Sequence, residues 1–181
     1  MQNKIFNTTD DIPSMVVYRN KWFNIIKINN VYDDEPYYGL ETLDYVHVLA
    51  VINEKIVFVR QYRPLLRKSS LEFPGGHIEA TQTPEEAARF ELYEETGYIS
   101  NRLELLCKLD PDTGRLTNKI WCYIAKDLKK DELWEGENGI TVEEHYINKL
   151  NQLVISGEII NAYNLAELFM ANLRSNNLNN I

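Results

Sequence analysis

Apolar and polar positions divide this chain into short strand-like runs, one helix with well-marked ends, and two helices near the C-terminus. Met15 to Tyr18 and Trp22 to Ile28 read as two strands joined by a turn at Arg19-Asn20, after a polar start, Met1 to Ser14, that is expected to begin loose. Asn29 to Pro36 is a turn-rich acidic loop. Tyr45 to Ile52 is a nearly continuous apolar run, the pattern of a strand buried on both faces. Asn53-Glu54 makes a tight connection to a partner strand, Lys55 to Tyr62, and Leu71 to Phe73 is a further short run. Leu103 to Leu109 and Lys119 to Ala125 are expected strands on either side of an Asp110–Gly114 turn, with one more over Thr141 to Ile147. Helices are expected within Asn148 to Ser156 and over Asn161 to Leu173, with a frayed tail expected over residues 176–181. Strands, a helix, more strands and terminal helices predict an α/β fold: a mixed sheet with helices on both faces.

The helix in the middle has the most legible boundaries. Thr83 caps it, Pro84 suits the first helical position, Glu86 completes a capping box, and Gly97 supplies the stop. At ~100° per residue, Glu91 stands one turn from both Glu94 and Glu95, so the three carboxylates share one side. Like charges at that spacing destabilise a bare helix by a few tenths of a kcal/mol per pair. A divalent cation reverses that penalty, since clustered hard oxygens are what Mg²⁺ or Mn²⁺ takes beside substrate phosphates. The preceding Phe73-Pro74-Gly75-Gly76 ends a strand-like segment and is read as exposed backbone open to a ligand.

Composition narrows the classes. The chain has 181 residues, one domain's worth of core, and a formal net charge of −8, which argues against binding nucleic acid or an anionic membrane through the general field. Cys107 and Cys122 lack metal-ligand spacing and read as two buried free thiols in a reducing compartment. No leader-like opening or long apolar run stands out, so a soluble, cytoplasmic protein is expected. None of His47, His77 and His145 is read as a ligand or catalyst.

The stretch Leu71 to Tyr98 resembles the Nudix box, Gly-x5-Glu-x7-Arg-Glu-U-x-Glu-Glu-x-Gly-U, where U is bulky and apolar. Gly76, Glu91, Leu92, Glu94, Glu95 and Gly97 match in register, and Tyr98 takes the last U position. Gln82 stands in place of the first glutamate and Phe90 in place of the arginine. Arg89 is no replacement, because one residue turns the side chain by ~100°. Val59 to Pro64, Leu71 to Gly76 and Ser156-Gly157-Glu158-Ile159 extend the resemblance to the ADP-ribose pyrophosphatase and nucleotide-sugar hydrolase branch of that superfamily.

The resemblance implies an α/β/α sandwich over residues 43–175, preceded by an N-terminal β segment (1–42) that serves a homodimer and a substrate wall. It implies a Mg²⁺-dependent (or Mn²⁺-dependent) hydrolase that cleaves the diphosphate linkage of a small nucleoside diphosphate derivative, ADP-ribose or a nucleotide sugar, without nucleic-acid or membrane partners. Glu91, Glu94, Glu95 and the Gly76 carbonyl would hold the metal. The base would be Glu91 or a glutamate of a late loop, where Glu135, Glu137, Glu143 and Glu144 all stand. Arg60, Arg63 and Arg115 are candidates for phosphate, and Trp22, Tyr37 and Tyr38 for stacking on a base. Ordinary surface charge and core or dimer packing are the plain alternatives for these residues. The paired loss at 82 and 90 reads as replacement of a structural ion pair, with Phe90 packed on apolar neighbours, so that an arginine introduced there alone is expected to sit partly buried and unpaired. A catalytically weak Nudix domain that binds a nucleotide ligand is the alternative function.

Overall fold

The computed structural model describes residues 13–30 and 34–175. The expected loose start, part of the acidic loop and the expected frayed tail lie outside them. The chain divides into two compact units, 1–42 with 112–117, and 43–111 with 118–181.

In the first unit, β1 (Ser14–Arg19), β2 (Asn24–Ile28) and β3 (Tyr37–Glu41) form an antiparallel sheet in that order. The second strand starts later than Trp22 because the Asn20 side chain accepts the Trp22 and Phe23 amides at 2.7 and 3.0 Å, closing a turn there. Segment 112–117 joins this unit: Leu40 N donates to the Arg115 carbonyl at 2.7 Å and Thr117 N to the Leu40 carbonyl at 3.1 Å. Every residue of β1 is exposed.

The second unit carries a mixed sheet ordered β10-β5-β4-β9-β8, with β6 paired to β5 and β7 to β4. Its strands are β4 (Tyr45–Ile52), β5 (Lys55–Arg63), β6 (Lys68–Glu72), β7 (Gly75–His77), β8 (Tyr98–Leu109), β9 (Ile120–Lys130) and β10 (Ile140–Tyr146). β4 and β9 run parallel; the other pairs are antiparallel. Asn53 and Glu54 both have positive φ (49° and 60°), as a two-residue hairpin turn requires.

Strand β4 shows how the layers form. Val46, Val48 and Ala50 pack with Ala87, Ala88 and Leu92 of helix α1 (Pro84–Thr96) on one face. Leu49 belongs to the other face, with Phe58, Phe73, Leu150 of α2 (Leu150–Ile155) and Leu168 and Ala171 of α3 (Ala162–Ser175). Helices therefore cover both sides of a central strand, and the expected α/β/α arrangement is what the structure has.

The ends of α1 are as the sequence predicts. Thr83 Oγ1 accepts the Glu86 amide at 3.3 Å and Glu86 Oε2 accepts the Thr83 amide at 2.8 Å; Gly97, at φ 66°, donates to the Tyr93 carbonyl at 2.7 Å. One expectation changes. Phe73-Pro74-Gly75-Gly76 is not an open loop: Phe73 and Pro74 are buried and Gly75–His77 hydrogen-bonds to β4 as a strand.

Candidate active site

The site is assembled where β7 passes the start of β4 and the C-terminal half of α1. Gly75 and Gly76 pair with His47 and Val46. That register leaves no room for side chains: a Cβ on Gly76 would lie 2.6 Å from Glu91 Cδ and nearer still to Oε1. Glycine here permits the close approach of a carboxylate to the backbone. Gly75 N donates to Glu95 Oε2 at 2.8 Å, so the same two residues cradle two of the three helix carboxylates.

Glu95 is buried and Glu91 half-buried, whereas Glu94 is exposed. Burial, reinforced by Glu94, Glu137 and Glu79, pushes the Glu91 carboxyl up to about 7. Glu95 is pushed up to about 8, first by burial and then by Glu91 and Glu137, against the opposing pull of the Gly75 amide and Arg63. Glu137, on the segment between β9 and β10, is itself raised by burial and by Glu94. Like charge therefore gathers on Glu91, Glu95 and Glu137, and one Glu137 oxygen, Oε2, is buried without a hydrogen-bond partner.

That donor set fits a hard divalent cation. A buried, unpartnered carboxylate oxygen beside three like charges is expensive alone, and oxygen-only ligands are what Mg²⁺ and Mn²⁺ take. Among the described residues, no three side chains are already drawn tightly enough to hold one ion.

The other candidates separate. Glu137 is the late-loop glutamate whose charge acts on the helix carboxylates of Glu91 and Glu95. Glu143 does not join them: Arg60 and His145 bind it and hold its carboxyl below the usual range. Glu144 accepts hydrogen bonds from Tyr98 and Lys55. Arg60 is shared by Glu143 and Glu158. Arg63 makes a two-point contact with buried Glu72 at 2.9 and 2.6 Å. Both arginines thus have carboxylate partners, and Arg63 alone among them acts on Glu95.

In the first unit, Trp22 and Tyr38 expose their rings, with Lys21 Nζ 4.2 Å above the Trp22 ring. The Arg115 guanidinium lies 4.7 Å from the Tyr37 ring centroid and donates to the Gly114 carbonyl. Phe90 is 49% exposed, not packed as expected, and Gln82 Oε1 accepts the Glu79 amide at 3.1 Å. An arginine at 90 would meet solvent rather than a buried void.

The family model described as NUDIX domain matches residues 42–161. The chain belongs to the NUDIX domain family. Two relatives give the scale of the Nudix likeness. A methanol dehydrogenase activator from Bacillus methanolicus is 43% identical over 88 residues, 48% of each chain. An ADP-ribose pyrophosphatase from Bacillus subtilis (strain 168) is 34% identical over 122 residues, 65% of each chain. The matched stretch thus spans about half to two thirds of these relatives' own lengths. A crystal structure of an ADP compounds hydrolase shares the fold at TM-score 0.77 and 20% identity, covering 91% of this chain and 92% of that one. No described helix is long and apolar enough to cross a membrane.

Sequence reasoning missed two features of this Nudix centre. The Glu95–Gly75 bond was hidden because the double glycine reads as a loop rather than a strand. Trp134, whose indole Nε1 donates to the Glu94 carbonyl at 3.0 Å, carries no motif.

Proposed function

We propose that this Nudix protein is a Mg²⁺-dependent (or Mn²⁺-dependent) hydrolase of a nucleoside diphosphate derivative, with ADP-ribose or a nucleotide sugar as the leading substrate class. The observation that carries it is the convergence of Glu91, Glu94 and Glu95 with Glu137, whose buried Oε2 has no partner. The name of the Bacillus subtilis relative supports the substrate class.

Glu91, Glu94, Glu95 and the Gly76 carbonyl are the ligands in this reading. When bound, the metal supplies charge neutralisation at the diphosphate oxygens and activates water. The protein's own groups do the rest. The Gly75 amide fixes Glu95 Oε2, so that carboxylate meets its task in one orientation. Glu137, with a carboxyl raised by burial, accepts the proton of the attacking water. Arg63, held by Glu72 near Glu95, is the arginine placed to compensate negative charge. Arg60, Glu143 and Glu144 are structural in this account. Trp22, Tyr38 and Arg115 remain candidates for ligand contact, their unit bearing open aromatic faces.

The exposed β1 edge and its apolar residues Met15, Val16, Val17 and Tyr18 suit a homodimer. The free thiols of Cys107 and Cys122, of which Cys122 is buried and Cys107 half-buried, are in keeping with a cytoplasmic location in this reading.

A ligand-binding domain with weak or absent turnover is the second reading. Gln82, Phe90 and the lack of a ready three-ligand cluster among the described residues favour it. Release of nucleoside monophosphate from ADP-ribose and a panel of nucleotide sugars, with Mg²⁺ or Mn²⁺ and with chelator, separates the two. Metal-dependent release supports hydrolysis; binding without release supports the second reading.

A further inference from the structure

Helix α1 ends without a basic residue in its last turn, yet the final carbonyls of any helix need donors. The segment that leaves β9 supplies them. Trp134 Nε1 donates to the Glu94 carbonyl at 3.0 Å, Asp131 N to the Gly97 carbonyl at 2.9 Å, and the Lys130 ammonium to the Thr96 carbonyl. The Tyr93 hydroxyl adds a bond to Asp131 Oδ2 at 3.0 Å. Lys130 Nζ also stands 4.2 Å from the Trp134 ring centroid and 4.8 Å from that of Tyr98.

The indole occupies the volume that a side chain at 97 would need. A Cβ on Gly97 would fall 2.6 Å from Trp134 Cγ and 2.7 Å from Cδ2. Glycine at 97 therefore serves twice, as the left-handed stop of the helix and as the seat of the indole. Glu137 lies three residues beyond Trp134. Gly136 precedes it and Gly139 follows two residues later, at φ 90° and 86°, a backbone region suited to glycine. At its far side the Ile140 amide donates to the Glu137 carbonyl at 3.2 Å. The arm bearing Glu137 thus runs from an indole locked on the carboxylate helix to the first residue of β10.

We propose that Trp134 is a positioning residue for the hydrolysis: seated on Gly97 and bonded to the Glu94 carbonyl, it holds Glu137 at its station among Glu91, Glu94 and Glu95. The inference rests on Glu137 acting in the reaction proposed above. Trp134 touches no reacting atom in this account. Its effect passes entirely through Glu137, so losing it and losing Glu137 must not be independent.

The test is a double-mutant cycle, Trp134→Ala and Glu137→Gln alone and together, on kcat and KM for ADP-ribose with Mg²⁺. Trp134→Ala is expected to lower kcat by ~10–100-fold with KM within about twofold, the scale of a misplaced catalytic group. The double variant is expected to match Glu137→Gln alone within about twofold, because groups acting as a unit are not additive. Trp134→Phe, which keeps a ring on Gly97, is expected to recover most of kcat. A multiplicative loss in the double variant, or a phenylalanine no better than alanine, overturns the proposal. A second readout needs no turnover: in metal-free protein, Trp134→Ala should speed hydrogen exchange at the Leu133 and Ile140 amides by tenfold or more. Unchanged exchange there also overturns it. Failure of the underlying reading looks different, since Glu137→Gln itself would then turn over at the wild-type rate.

Discussion

Adjacent glycines on β7 offer a way to separate the fold from the chemistry. An alanine at 75 would place its Cβ 2.7 Å from His47 Cδ2 and 3.0 Å from His47 Cα, and against the Val46 carbonyl oxygen. Two of those three atoms belong to the β4 backbone, so the strands must part. Overpacking of that kind costs about 3 kcal/mol, which for a chain of this size lowers Tm by roughly 6–12 °C. The three atoms nearest an alanine Cβ at 76 all belong to the end of the Glu91 side chain, with Cδ at 2.6 Å. That carboxylate can turn away for about 1 kcal/mol, much of it offset by the backbone entropy an alanine saves, so Tm should stay within about 3 °C. The cost falls on Glu91's aim. A shift of about 1 Å in a working group can lower the rate ~100-fold. Thermal unfolding and Mg²⁺-dependent kcat of the two variants, measured side by side, check this. A stable Gly75→Ala, or a Gly76→Ala with wild-type turnover, refutes the reasoning about the cradle.

Glu94→Gln and Glu95→Gln should each lower Mg²⁺-dependent turnover at least ~100-fold while circular dichroism shows an intact fold. Because the Glu91 and Glu95 carboxyls stand at about 7 and 8, above their ordinary 4.5, the metal-free protein is most stable below pH 4.5 as far as these groups are concerned, and loses that stability as pH rises through 7 to 8. Urea midpoints at pH 5.5 and 8.5 should show the fall, and saturating Mg²⁺ should reduce it at pH 8.5. Phe90→Arg should change stability by no more than about 0.5 kcal/mol, since position 90 is 49% exposed, and a thermal double-mutant cycle with Gln82→Glu should show little coupling. Light scattering at micromolar concentration should report twice the 21.2 kDa chain mass; a monomer counts against the β1 interface.

Local rules made α1 legible. A capping box, a proline and a terminal glycine act within one turn of the residue concerned, and the carboxylate spacing follows from helix geometry. Elements set by tertiary pairing were harder to read. β3, Tyr37–Glu41, has a central glycine and follows an acidic turn, and its order comes from pairing with β2 along its whole length. β8 starts at Tyr98, well before Leu103, because β9 extends to Lys130 and supplies partners to the polar stretch Ser100 to Arg102. The same limit holds at the site. Glu137 could not be chosen from Glu135, Glu143 and Glu144 because their separation depends on which neighbours the register delivers. Arg60 faces Thr141 across β5 and β10, which brings it within reach of Glu143, whereas Glu72 faces Val59 and is met by the Arg63 side chain from four residues along β5. No spacing rule along one strand announces such pairs.

Formation of AMP from ADP-ribose in the presence of Mg²⁺, followed for the wild type and for Glu95→Gln at equal fold content, tests the account most directly. The account predicts steady release by the wild type, its abolition by chelator, and a residual rate of about one per cent or less in the variant. Release that survives chelation, or that is equal in the two proteins, would contradict a metal-dependent centre built on the α1 carboxylates.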